Sequence, residues 1–122
     1  MYDHLSLKVR EYKKSRQFYE KALAPLGIAL QGEDDGSTAG FGPGESTLLW
    51  ISEGQPASTG LHIAFAAPSR AAVGSFHNAA MEAGGRDNGA PGIRESYSPT
   101  YYAAFVIDPD GNNIEAVCHL KQ

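Results

Sequence analysis

Alternating and helical patterns of apolar residues succeed one another twice along the chain. Leu5, Leu7 and Val9 alternate with His4, Ser6 and Lys8, which predicts a half-buried strand over 3–9. Phe18, Tyr19, Ala22, Leu23 and Leu26 then form one stripe of a helix predicted from Tyr12 to Leu26, with Gly27 as its stop and Pro25 loosening the last turn. Short strands are expected near 28–31, 38–41 and 47–52, separated by turns rich in Gly, Asp and Pro. Gln55 to Gly60 is polar, carries a Pro and a Gly, and is expected to be a linker.

The order then starts again. Leu61, Ile63 and Phe65 alternate with His62, Ala64 and Ala66. Ser69 stands where a cap is needed for a helix carrying Val73, Phe76, His77, Ala80 and Met81, and Gly84-Gly85 ends it. Three strands near 86–89, 101–107 and 112–118 close the chain, with a loop expected from Ala90 to Thr100. His4 and His62, Phe18 and Phe76, Ala22 and Ala80, and Gly27 and Gly85 all stand at one and the same separation along the chain. Four coincidences at one offset identify an internal repeat of a βαβββ unit, module 1 over about 1–54 and module 2 over about 60–122. The expectation is an α+β fold in one domain, the two modules pairing to form a curved mixed sheet, a cup, with helices on the outside. Farther on, Pro43 and Pro109 share a second, wider offset with Ile51 and Val117, and at that offset Leu49 is the counterpart of Glu115.

Composition narrows the partners. With 10 Lys and Arg against 14 Asp and Glu, a formal charge of -4 and no basic run, the chain lacks the electrostatic footprint of a nucleic-acid binder. No apolar run approaches the ~20 residues that span a bilayer, and the first residues lack the apolar core of a signal peptide. A single cysteine, Cys118, permits no intrachain disulfide. A cytoplasmic protein is expected.

The chemistry concentrates on strand faces opposite the helix-packing sides. Asp108-Pro109-Asp110-Gly111 is strong turn chemistry and feeds a strand on which Glu115 faces away from Ile114 and Ala116. His4, His62 and Glu115 together offer two imidazoles and a carboxylate, a set suited to Fe(II), Mn(II), Zn(II), Ni(II) or Co(II) with positions left for substrate. The plain alternative is that each histidine is a hydrogen-bonded strand residue and Glu115 faces water. His77, on the helix stripe, and His119, beyond the last strand, are assigned structural or solvent roles. Arg94 and Tyr97 on the long loop, with Tyr101 and Tyr102 on the strand it enters, are the substrate-binding candidates. Tyr101 and Tyr102 point to opposite faces, so one of them belongs to the core, and Trp50 is expected under a helix. Gly40 to Gly44 precedes a strand and is expected to be a hairpin turn, not a phosphate loop.

Nearly the whole chain resembles the vicinal oxygen chelate superfamily, which includes glyoxalase I, bleomycin-resistance proteins, fosfomycin-resistance transferases and extradiol dioxygenases. The resemblance rests on Asp3-His4-Leu5, the run Ser15-Arg16-Gln17-Phe18-Tyr19, Gly60-Leu61-His62-Ile63-Ala64-Phe65, and the closing Asp108 to Glu115. It implies paired βαβββ modules around one divalent metal ion held at His4, His62 and Glu115, with Glu115 also in the catalytic role, and a small substrate that chelates through oxygens. It implies a homodimer, in some members with exchanged modules, so that His4 could pair with His62 and Glu115 of another chain. Leu49 stands where glyoxalase I supplies a fourth ligand, which makes three ligands the expectation. Bleomycin-sequestering members, metal-free binding proteins, are the alternative.

Overall fold

The computed structural model describes residues 2–57 and 60–121; residues 58 and 59 of the expected linker lie outside them. The βαβββ order occurs twice. Module 1 runs β1 (Leu5–Val9), α1 (Tyr12–Leu23), a single 3-10 turn (Ala24–Leu26), β2 (Ala29–Asp34), β3 (Thr38–Gly42) and β4 (Leu49–Glu53). Module 2 runs β5 (His62–Ala66), α2 (Arg70–Glu82), β6 (Arg86–Ile93), β7 (Tyr102–Ile107) and β8 (Asn113–Cys118). Each module makes a four-stranded mixed sheet, ordered β1-β4-β3-β2 and β5-β8-β7-β6. β1 pairs with β4, and β5 with β8, in parallel. The α+β expectation of two such modules therefore holds.

Local chemistry explains most boundaries. Pro25 cannot donate to an α-helical ladder, and the regular helix ends before it in the 3-10 turn, closed by Gly27 at φ +81°. Ser69 caps α2 by accepting from the Ala72 N–H at 3.0 Å. Two strands differ from expectation. β2 begins at Ala29 and runs to Asp34, and β6 runs to Ile93, so the loop before β7 is shorter than the 90–100 expected. Both are edge strands carrying bulges, where backbone pairing continues through residues that side-chain alternation does not mark.

The helix stripes meet in one core. Phe18, Tyr19, Ala22 and Leu23 of α1 and Val73, Phe76 and Ala80 of α2 are fully buried together with Leu49, Ile51, Val106 and Ile114 of the sheets. Burying a large apolar side chain of this kind contributes roughly 1.5–3 kcal/mol. Gly85 shows how closely the modules approach: a Cβ there would lie 2.4 Å from Val106 Cγ1 and 2.8 Å from Phe18 Cε1.

A polar clasp also joins the modules. Asp108, buried in the β7–β8 turn, accepts from the Tyr19 hydroxyl of α1, from the N–H groups of Asp110 and Asn112 at 2.9 and 2.8 Å, and from Asn112 Nδ2 at 2.9 Å. Burial and the neighbouring Asp108 hold the Tyr19 hydroxyl well above the usual tyrosine pKa, so it remains a donor. Asp110 accepts from the Arg10 guanidinium at 3.1 Å and from Ser15 Oγ at 3.3 Å.

The strand register corrects the repeat alignment. Leu5 pairs with Leu49 in module 1, and Ile63, the repeat mate of Leu5, pairs with Ile114. Across the antiparallel pairs, Phe41 opposes Leu49 and Val106 opposes Ile114. Leu49 is thus the counterpart of Ile114, one step short of what the prolines imply, and the counterpart of Glu115 is Trp50, not Leu49. The prolines misled because they are placed by turn geometry, and the two turns put them at different steps. Trp50 is accordingly not under a helix. It is 38% exposed on the opposite face, whereas Leu49 and Ile51 are buried. Its ring lies over Gly40, where a Cβ would come within 2.8 Å of it.

Candidate functional site

Module 2 builds the polar site on the sheet face away from α2. His62 opens β5 beside Asn113 of β8, and two steps along the same parallel pair Ala64 lies beside Glu115. Strand alternation puts His62, Asn113 and Glu115 on one face, joined by Phe105, which opposes Glu115 from β7. The small Ala64 leaves the imidazole and the carboxylate free to meet.

They do meet. His62 Nε2 lies 2.8 Å from Glu115 Oε1, and the Tyr101 hydroxyl donates to Glu115 Oε2 at 2.5 Å. Glu115 is only 2% exposed, so its carboxylate depends on these two partners in place of water. Tyr101 stays a donor because burial, and then its hydrogen bond to Glu115, push its pKa to about 12. On its far side His62 Nδ1 contacts Asn113 Nδ2 at 3.1 Å, and Asn113 Oδ1 accepts from Asn88 Nδ2 at 3.2 Å.

An aromatic frame surrounds this chain of contacts. Phe105 meets the His62 ring edge-on at 6.1 Å, and the Arg94 guanidinium stacks over Phe105 at 5.3 Å from the ring centre. Arg94 also donates to the carbonyls of Gly92 at 2.9 Å and Ala90 at 2.7 Å, which fixes its charge at the border of the site. Tyr101 packs edge-on against Tyr97 at 4.9 Å and His119 at 5.2 Å. Tyr97 is 65% exposed. Tyr102 is the member of the tyrosine pair that faces the helix: Arg70 of α2 stacks over its ring at 5.0 Å, away from His62 and Glu115.

His4 stands apart from the pair. It precedes β1 by one residue, its Nδ1 is 2.7 Å from Asp3 Oδ1, and Nε2 is the nitrogen left for another partner. His4 lines a recess of about 400 Å³ with Leu26, Ile63 and Phe65, while His62 lines an adjoining one of about 420 Å³ with Tyr2, Leu5, Leu61 and Ala64. Both recesses lie between β1 and β5, each the edge strand of its own sheet. Among the described residues no three His, Cys, Asp or Glu side chains converge as a metal-ligand set.

His62 and Glu115 nonetheless fit a borderline divalent ion. Two ligands each ~2.1 Å from one ion stand about 3 Å apart when they subtend a right angle, close to the 2.8 Å between Nε2 and Oε1. The sequence reading missed Asn113, Asn88 and Phe105; His119, given a structural or solvent role, is exposed and packs against Tyr101. Alternation could have found Asn113, which shares the parity of Glu115 in the stretch already singled out. Asn88 sits in a bulge, where alternation fails.

The family model described as the Glyoxalase/Bleomycin resistance protein/Dioxygenase superfamily matches residues 2–116. A search of curated proteins finds no match. Among solved structures, a glyoxalase/bleomycin resistance protein from Albidiferax ferrireducens T118 is 31% identical, with a TM-score of 0.81 over 97% of this chain and 98% of that one. A glyoxalase/bleomycin resistance protein/dioxygenase family enzyme from Burkholderia phytofirmans PsJN shares the fold at 16% identity, with a TM-score of 0.74 over 97% and 98% of the two chains. Lactoylglutathione lyase from Agrobacterium tumefaciens does so at 16% identity and 0.69 over 97% and 92%. With that family match running from ahead of His4 through Glu115, and the paired βαβββ modules beneath it, the chain belongs to the Glyoxalase/Bleomycin resistance protein/Dioxygenase superfamily.

Proposed function

We propose that the protein is a divalent-metal-dependent enzyme acting on a small substrate that presents two oxygens, with His62 and Glu115 as two of the metal ligands and His4 as the third. The observation that carries this reading is the convergence of His62 Nε2 and the nearly buried Glu115 Oε1 at 2.8 Å. A nearly buried carboxylate held between an imidazole and a tyrosine hydroxyl is the kind of ionisable cluster that concentrates at functional sites. Superfamily members commonly bind a divalent metal. Such an ion, bound at these ligands, supplies Lewis-acid stabilisation of an oxyanion or enolate.

The chain's own residues prepare the site. Tyr101 holds Oε2 of Glu115, which leaves Oε1 as the ligand oxygen, and Phe105 and Arg94 wall the His62 side. In the first module Trp50 takes the place equivalent to Glu115 and offers no ligand atom, which keeps the set at three and argues against the four-ligand pattern of a lactoylglutathione lyase. Tyr97 and Tyr101, with Arg94, remain the substrate-facing candidates of the loop before β7.

His4 lies outside the pair in one chain, and Tyr2, Leu5 and Leu61 leave apolar surface exposed along β1 and β5. A homodimer in which His4 of one chain joins His62 and Glu115 of the partner subunit accounts for both. Mixing H4A and E115Q variants tests it: metal binding recovered at one site of each mixed dimer supports the shared site, and none refutes it. The described residues include no helix long and apolar enough to cross a membrane. Together with the lone buried Cys118 this agrees with a cytoplasmic setting.

The decisive experiment is elemental analysis of protein purified without chelator, beside H62A. One metal per chain in wild type and its loss in H62A is the expected result. Wild type without metal leaves the second reading, a metal-free sequestering protein. That reading is favoured by the exposed Trp50 ring, a platform on which a flat ligand could stack.

A further inference from the structure

Asn113 and Asn88 are not ligand candidates, yet they extend the site beyond His62. The chain of contacts runs Tyr101–Glu115–His62–Asn113–Asn88 across the sheet of module 2. Asn88 reaches it because it is the extra residue of a bulge in β6: Asp87 opposes Val106 and Gly89 opposes Phe105, with Asn88 unpaired between them. Asp87 pins that bulge by accepting from the Gly89 N–H and facing His77 Nε2, each at 3.0 Å.

A neutral imidazole carries one proton, and its two nitrogens need opposite partners. With Glu115 as acceptor, His62 holds its proton on Nε2, and Nδ1 must then accept; Asn113 Nδ2 supplies the donor. To ligate a metal through Nε2, His62 needs the other tautomer, with Nδ1–H facing an acceptor. An amide turned over by half a rotation exchanges donor for acceptor in the same place. Asn113 can therefore serve either tautomer, and Asn88, also an amide, can turn over with it and keep the second hydrogen bond. A carboxylate at position 113 would serve only the Nδ1–H form, and an aliphatic residue neither.

We propose that Asn113, backed by Asn88, is a positioning residue that lets His62 exchange tautomers between its metal-free and metal-ligating states. The proton balance is closed: Nε2 releases a proton to solvent, Nδ1 takes one up, and the ring stays neutral. The inference rests on the metal reading above and adds to it a device in the residues behind the ligand.

Nitrogen-15 histidine NMR at pH 8, with H62A to assign the signal, reads the tautomer directly, and zinc titration against a competing chelator reads affinity. Wild type is expected to show Nε2–H without metal and Nδ1–H with zinc. N113D, nearly isosteric, sets a second acceptor opposite Nδ1 and is expected to lose the Nε2–H-only signature without metal, with a proton now on Nδ1, while retaining zinc. N113L is expected to bind zinc about 10–100-fold more weakly, and N88A a few-fold more weakly. Wild type that binds zinc while N113L binds it equally well overturns this inference alone, as does a metal-free wild type already in the Nδ1–H form. Wild type that takes up no zinc overturns the metal reading and this inference with it.

Discussion

The two modules share one backbone plan and fill their open faces in opposite ways. In module 2 the bulk sits on β7, where Phe105 opposes the smaller Glu115 on β8. In module 1 it sits on β4, where Trp50 opposes Gly40 on β3 and its indole covers the space that a side chain there would need. The pair Lys8 and Ser52, joined at 3.0 Å, completes the module 1 face at the step where module 2 sets the apolar Ala66 beside Val117. Repetition thus preserved the frame and one histidine per module, while the acidic group with its supporting hydrogen bonds belongs to one module only.

The sharpest break of that asymmetry is removal of the acid. E115Q should abolish stoichiometric metal binding, measured by elemental analysis, while circular dichroism stays native because the amide keeps the volume and can still meet Tyr101. Next in size is the contact between the modules: G85A forces a methyl against Val106 and Phe18 and should cost about 1–3 kcal/mol in urea unfolding. Y101F leaves Glu115 Oε2 without its donor in a nearly buried place, a cost of roughly 1–3 kcal/mol in the metal-free protein. The same tyrosine predicts an alkaline effect. Its folded pKa, about 12, lies above the unfolded value of 10.0, so its stabilisation is complete below pH 10 and is lost as pH rises from there through 12. Y101F should lack that component of the alkaline loss, seen in parallel pH-dependent unfolding. The smallest effect expected is that of D87N, at an exposed position. His77 first, and the Gly89 N–H second, hold the Asp87 carboxyl below its usual pKa, so whatever stability it adds is present at neutral pH and fades as pH falls below about 4. The difference between wild type and D87N should accordingly vanish in acid.

Much of the fold was legible in the sequence. The helix stripes, the Ser69 cap, the Pro25 break and the constant offset of the repeat come from short-range rules, and β1 and β5 follow because one face of each strand is apolar. The pairing of His62 with Glu115 was within reach for the same reason, both lying on the polar parity of their strands. The register of β4 against β8 was not. It is decided by which residues oppose each other across strands, and a one-residue slip moves every side chain to the other face, as happened to Trp50 and Leu49. Asn88 was hidden by a bulge, and the separation of His4 from Glu115 depends on how two sheets sit in space, which no local pattern encodes.

The clasp at Asp108 and Asp110 makes the second half of the molecule dependent on the first. The strand bearing Glu115 starts from a turn that Tyr19, Ser15 and Arg10 hold from outside its own module. Each half of the repeat is free to vary only where the other does not grip it. Substitutions in the middle of β2 or β6 concern one half alone, whereas a change at Tyr19, far along the chain from Glu115, would be inherited as a change in where the acid stands.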